Sequence, residues 1–170
     1  MDALGRLYDL SIGFAPVDMQ AAQTGKRFHM RDCRAVDVVL FKAAGTTGDD
    51  PTLTLQEHTA YTGGTSTNLA AIDKYWVKAE TTLDGDETWT EVTQTAAATI
   101  ADPGGAETSA EEQQIVVFTV EATDLTDGYE WISVNMADTG TNAQLGCILY
   151  LPHDLDIQRA PANMPQWLTA

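Results

Sequence analysis

The chain has 170 residues, a net charge of −16 and a pI near 4.2. That length is enough for one domain with its own core, and a hydrophobic content of 44% with 4 Trp and 5 Tyr excludes a disordered chain. The acidity excludes a nucleic-acid binder, which needs a basic footprint on phosphate, and no apolar run approaches the ~18 residues that cross a bilayer.

Met1–Leu10 places Leu4, Leu7, Tyr8 and Leu10 at near-helical spacing. So short a helix is marginal in water and needs a partner surface. The first 18 residues carry acids where a signal peptide carries bases, so no secretion signal is read. Ser11–Gly25 reads as extended, with Pro16 enforcing it. Residues 1–25 together form an expected N-terminal arm. Lys26–Cys33 alternates Phe28 and Met30 against His29 and Arg31, as a short edge strand does, and opens an expected body of residues 26–152. His29 has no second His or Cys at ligand spacing, which makes it structural.

Ala35–Thr59 reads as the hairpin around which the rest is organised. Val36, Val38 and Leu40 share one face of its first strand and Asp37, Val39 and Phe41 the other, so the strand is mostly apolar on both sides and expected to be central. Gly45–Pro51 breaks the pattern with turn chemistry. The next strand alternates Leu53 and Leu55 inward against Thr52, Thr54 and Gln56. Ala60–Asn68 is a polar loop whose GGTS lacks the Lys and glycine spacing of a phosphate loop.

Lys74–Glu80 sends Tyr75, Val77 and Ala79 one way and Trp76, flanked by Lys74 and Lys78, the other. A Trp between lysines marks an outer face or a contact surface. Asp84-Gly-Asp-Glu87 invites a calcium site, because hard cations want clustered carboxylates, but it lacks an EF-hand layout, and Asp-Gly is a common hairpin turn. The turn is the stronger reading. Thr88–Thr95 is a Thr-rich strand with Trp89 and Val92 out of phase, so a bulge or an edge position is expected. Ala96–Glu112 is a long loop. Gln113–Ala122, again apolar on both faces, Tyr129–Met136, with Ile132, Val134 and Met136 inward, and Leu145–Pro152 complete the strands. Pro152 is expected to close the last one.

The tail His153–Ala170 has no period. Pro161 and Pro165 keep it extended, yet it ends in Met164, Trp167 and Leu168, which are costly to leave in water. Either it is a C-terminal arm that reaches a neighbour, or it folds back over its own barrel mouth. Residues 1–42 hold six of the nine bases against five acids, whereas residues 43–170 hold 20 of the 25 acids. The basic third either docks on an acidic partner or supplies gatekeepers along a strand edge. The residues these readings nominate for partner contact are Arg6, Leu7, Tyr8, Arg27, Arg31, Met164, Trp167 and Leu168. Cys33 and Cys147 are expected as small buried groups of a reducing compartment, with a single bridge between them as the lesser alternative.

Strands every roughly 10–20 residues with no helical period predict an all-β antiparallel β-sandwich or barrel, a jelly roll being one topology, with extended N- and C-terminal arms. No catalytic constellation, metal cluster or phosphate loop is legible; His29, His58 and His153 are scattered. The expectation is a protein that is not an enzyme and carries no cofactor, catalytic residue or metal.

Over residues 35–152, the GDDPTLTLQ turn and strand, the DLTDGYEWISV turn and strand, and their order resemble small virion structural proteins of tailed bacteriophages. The resemblance implies a capsid decoration or stabilisation protein on the head exterior, made in the host cytoplasm. Its implied partners are the major capsid protein and itself, a trimer being the favoured homo-oligomer, with no nucleic acid or membrane. A head–tail completion or tail protein shares the same β body. The other class is a carbohydrate-binding or adhesion module that stacks Trp76, Trp89 or Tyr129 on sugar rings, with calcium near Asp84, Asp86 and Glu87.

Overall fold

Among the described residues, eleven strands account for the alternating patterns. The computed structural model describes residues 3–103 and 110–169. The strands are β1 (Ser11–Asp18), β2 (Phe28–His29), β3 (Cys33–Lys42), β4 (Thr52–His58), β5 (Ser66–Asn68), β6 (Ile72–Glu80), β7 (Thr90–Ala97), β8 (Thr99–Ala101), β9 (Gln113–Glu121), β10 (Trp131–Met136) and β11 (Leu145–Leu155). They form two antiparallel sheets packed as a β-sandwich. One has the order β1-β11-β3-β9-β6-β7, the other β2-β10-β4-β5 with β8 also on β4.

The core lies where the inward faces meet. Val36, Val38, Leu40, Val116, Phe118, Val120, Ile148 and Tyr150 of the six-stranded sheet pack on Leu53, Leu55, Ile132, Val134 and Met136 of the other. Each follows the period-two alternation of its strand. Tyr150 also ties the sheets by hydrogen bonds: its hydroxyl accepts from the Val134 N–H at 3.0 Å and donates to the Lys26 carbonyl at 3.1 Å.

β3 is central, as its pattern predicts, but it makes no hairpin with β4. Both its edges are filled, by β11 on one side and β9 on the other, so the Gly45–Pro51 turn carries the chain across to the facing sheet. Residues 1–25, expected as an arm, contain β1, which pairs with β11 from Ser11↔Tyr150 to Asp18↔Leu145. Pro152 does not close β11. The strand continues to Leu155, and the Pro152 carbonyl accepts the Asp9 N–H at 3.0 Å. The expected long loop, residues 96–112, contributes β8; its residues 104–109 lie outside the described set.

Other expectations hold. Asp84–Glu87 turns β6 into β7, and their pairing slips register between Ile72 and Lys74. Cys33 and Cys147 are both buried and free. They sit on neighbouring strands but at opposite ends, Cys33 beside Leu155 and Cys147 beside Phe41, so no bridge forms. Burial pushes the Cys33 thiol up to about 12.

Candidate interaction surfaces

The two chain ends build one platform. In residues 3–10 the Leu7 N–H bonds the Ala3 carbonyl at 2.8 Å and the Gly5 N–H the Tyr8 carbonyl at 2.7 Å. Gly5 has φ +80, and a Cβ there would run into the Arg159 carbonyl oxygen. That close approach lets the Arg159 N–H reach the Gly5 carbonyl at 2.9 Å. The result is a tight coil rather than a helix.

Trp167 locks the tail down. Its ring stacks on Phe28 at 5.1 Å and 16°, its Nε1 donates to Asp9 Oδ2 at 2.7 Å, and its carbonyl accepts the His29 N–H at 2.9 Å. It is 4% exposed. Trp167, nominated as a partner contact, is therefore a core residue: stacking and the Asp9 bond satisfy both its ring and its N–H. Met164 and Leu168 pack half-buried against the same core. The tail folds back, as the second of its two readings has it.

Leu7, in contrast, is 54% exposed, with Leu4, Tyr8 and Leu10 exposed around it. Arg6 and Leu7 border a shallow groove with Arg34, Leu155 and Asp156. Arg34 Nε pairs with Asp156 at 3.1 Å. Arg27 and Arg31 are occupied locally. Arg27 donates to the Ala60 and Gly63 carbonyls and to Ser66 Oγ, fastening the Gly63-Gly64 loop, and Arg31 pairs with Asp32. Lys42, counted among the N-terminal bases, is buried, and its Nζ donates to the Glu112 carbonyl at 2.6 Å; burial pushes it down to about 8.

A second surface is the outward face of the six-stranded sheet. Register places Leu149, Val39, Val117 and Trp76 in one row across four strands, with Ile12 of β1 beside Leu149. The next row holds Cys147, Phe41 and Ile115, then the Lys78 stem. Phe41 is 49% exposed, Trp76 39% and Leu145 59%. Lys78 Nζ lies 5.2 Å from the centre of the Trp89 ring, a cation–π contact at the border of this face. The reading of Trp76 as outward holds. Its apolar neighbours on β3, β9 and β11 were read only as signs of a central strand.

The facing sheet's outer side is a polar network. His58 lies between Ser66 Oγ at 2.7 Å and Ser133 Oγ at 2.8 Å. Burial, with Arg27 nearby, pushes its imidazole down to about 4, although Glu57 acts the other way. Asn135 donates to Gln56 and Gln56 to Asn68. With Ser133 only 2% exposed, the arrangement is a neutral buried histidine held by two hydroxyls. No spacing rule links residues 58, 66 and 133; only the strand order joins them. His29 is structural as expected, edge-on to Trp131 at 4.2 Å and 3.4 Å from Glu130.

At the β6–β7 turn, Glu80, Asp84, Asp86 and Glu87 can bring one carboxylate oxygen each within 4.8 Å of one another. Three of the four are the acids of the calcium reading. Glu87, however, accepts the Asp84 and Gly85 N–H groups and so serves the turn itself.

No family model matches the chain, and no curated protein matches it. Among solved structures it is similar to the SPBc2 prophage-derived protein YomS, at 8% identity, 84% coverage of this chain, 92% of that one and a TM-score of 0.40. A likeness this distant carries no argument about function.

Proposed function

We propose that the protein is a non-catalytic structural component of a tailed-bacteriophage particle, a decoration or stabilisation protein that docks on the major capsid protein of the head. The observation that carries this reading is the terminal platform. Leu4, Leu7, Tyr8 and Leu10 stay in water on a coil that Gly5–Arg159 and Trp167–Asp9 bonds hold rigid. Apolar groups on a preorganised support lose little entropy on binding, as docking anchors require. Arg6 and Arg34 share the adjoining groove with Asp154 and Asp156, so the platform offers charges of both signs beside its apolar groups. The resemblance of residues 35–152 to phage virion proteins supports the same reading.

Strand order supports it at the level of fold analogy. We read β1-β11-β3-β9 facing β2-β10-β4-β5 as a jelly roll, with β6 and β7 added beyond β9. Jelly rolls occur in viral capsid domains and also in lectins, so the order alone does not choose a function. Trp76 and Trp89, both exposed, favour the carbohydrate-binding module as the second reading.

Quantitative mass spectrometry of purified particles tests the proposal. A copy number in simple ratio to the major capsid protein is expected. About a dozen copies would move the protein to a vertex, neck or tail, and absence would remove the virion reading. Leu7→Asp with Tyr8→Asp should abolish particle binding while the thermal midpoint holds. Binding to a glycan array would instead favour the module.

A further inference from the structure

We infer that the outward face of the six-stranded sheet seats a second copy of this chain, giving a two-fold dimer joined sheet to sheet. The inference rests on that face alone and is independent of the capsid reading.

Its pattern comes first. β3 and β9 alternate perfectly, yet both alternations are apolar: Val36, Val38 and Leu40 fill the core while Val39 and Phe41 point out, and Val116, Phe118 and Val120 fill the core while Ile115 and Val117 point out. A half-solvated antiparallel strand ordinarily carries polar side chains on its wet face. The facing sheet of this same molecule does so.

Area comes second. Five strands at ~4.8 Å spacing by about seven residues at ~3.3 Å give a footprint on the order of 600 Å². Side-chain relief raises the accessible area toward the ~800 Å² per partner of a standard stable interface.

Charge comes third. The whole chain carries −16, whereas the middle of this face sets Asp37 and Glu91 beside Lys74 and Lys78, with Glu80 and Glu121 at its margins. Its centre is far less acidic than the chain as a whole, so two copies meet there with reduced like-charge repulsion. Asp37 makes no demand on a partner, since Thr119 Oγ1 donates to it at 2.6 Å and His153 Nε2 lies at 3.5 Å. A two-fold axis along the strands between β3 and β9 is self-complementary. It sets Trp76 of one copy over Leu149 of the other and Val117 over Val39, and brings Lys74 toward Asp37. Such a face joins copies in pairs, against the three-fold order expected from the sequence.

Sedimentation equilibrium and light scattering on the full chain across the micromolar range test this. The expected mass is twice 18.3 kDa. Trp76 emission should shift to the blue on association, and affinity should rise with salt, because the remaining long-range repulsion is screened. Val39→Asp should weaken association at least ~10-fold with unchanged circular dichroism; Trp76→Glu, at a half-exposed position, serves if Val39→Asp does not fold. A single-copy mass at every concentration, a three-copy mass, or variants that dimerise like the parent would overturn the inference. So would a monomer whose Trp76→Glu variant loses particle binding, since the face would then belong to the capsid.

Discussion

The two outer faces of this sandwich solve opposite problems with the same backbone. On the five-stranded side, Asn135, Gln56, Asn68, His58, Ser66 and Ser133 bond to one another. These polar groups find partners within the molecule, and that side leans on its own network. On the six-stranded side, Val39, Phe41 and Val117 have no polar group to satisfy, and Phe41 and Trp76 stay exposed. The first face spends its chemistry on the fold; the second adds little to the stability of the isolated chain and is open to association. Side-chain alternation within a strand is therefore not a measure of burial until the sheet's neighbours are known.

The largest effect that sharpens this contrast is within β3. Leu40→Ala, at a position with no exposure, should cost about 2–5 kcal/mol, whereas Phe41→Ala next to it should cost the monomer less than ~1 kcal/mol. Chemical denaturation below the association threshold measures both, and equal costs would mean that the outer face is part of the folding core. A pH titration of stability probes the polar face. His58 binds its proton near pH 6.5 in the unfolded chain and only near 4 when folded. Its contribution is therefore complete above about pH 6.5 and is lost as the pH falls toward about 4, an effect on the order of 3 kcal/mol. Subtracting the profile of His58→Gln isolates it from the carboxylates, and coincident profiles would contradict the buried neutral histidine. Ser133→Ala should cost about 1–3 kcal/mol by leaving His58 Nε2 without a partner in the core, read as a lower urea midpoint at pH 7. The smallest effect lies off both faces. Glu87→Ala removes the acceptor of two exposed turn amides and should lower the thermal midpoint only slightly. Calcium titration of the parent settles whether those acids do more: an unchanged melting curve leaves a turn alone.

What the sequence made legible was local. The positions of β3, β4, β6, β7, β9, β10 and β11, the inward residues of β4, β6 and β10, the outward Trp76 and the bulged β6–β7 edge all follow from period two and turn chemistry, whereas β5 and β8, three residues each, fall in stretches that read as loops. Partnership was not legible, because hydrogen bonds in a sheet join residues far apart in the chain. Adjacency in sequence made β3 and β4 look like a hairpin, when β11 and β9 already held both edges of β3. β1 lacked alternation because its pairing slips register twice, between Ile12 and Phe14 and again before Val17. Trp167 looked like a docking anchor because nothing in the tail names Phe28 and Asp9 as its partners. The His58 network escaped notice for the same reason.

The position of β11 also governs when the molecule can form. It lies between β1 and β3, two of the first three strands to be synthesised, so the larger sheet stays split until Leu145–Leu155 has left the ribosome. Until then β3 presents a long bare edge with apolar side chains on both sides, a template for pairing with another nascent chain. Pairing of β11 with β1 closes a loop from Ser11 to Tyr150, a long-range contact of the kind that slows folding. Slow folding and mispairing of nascent chains at high expression are the expected consequences of inserting a late strand between two early ones.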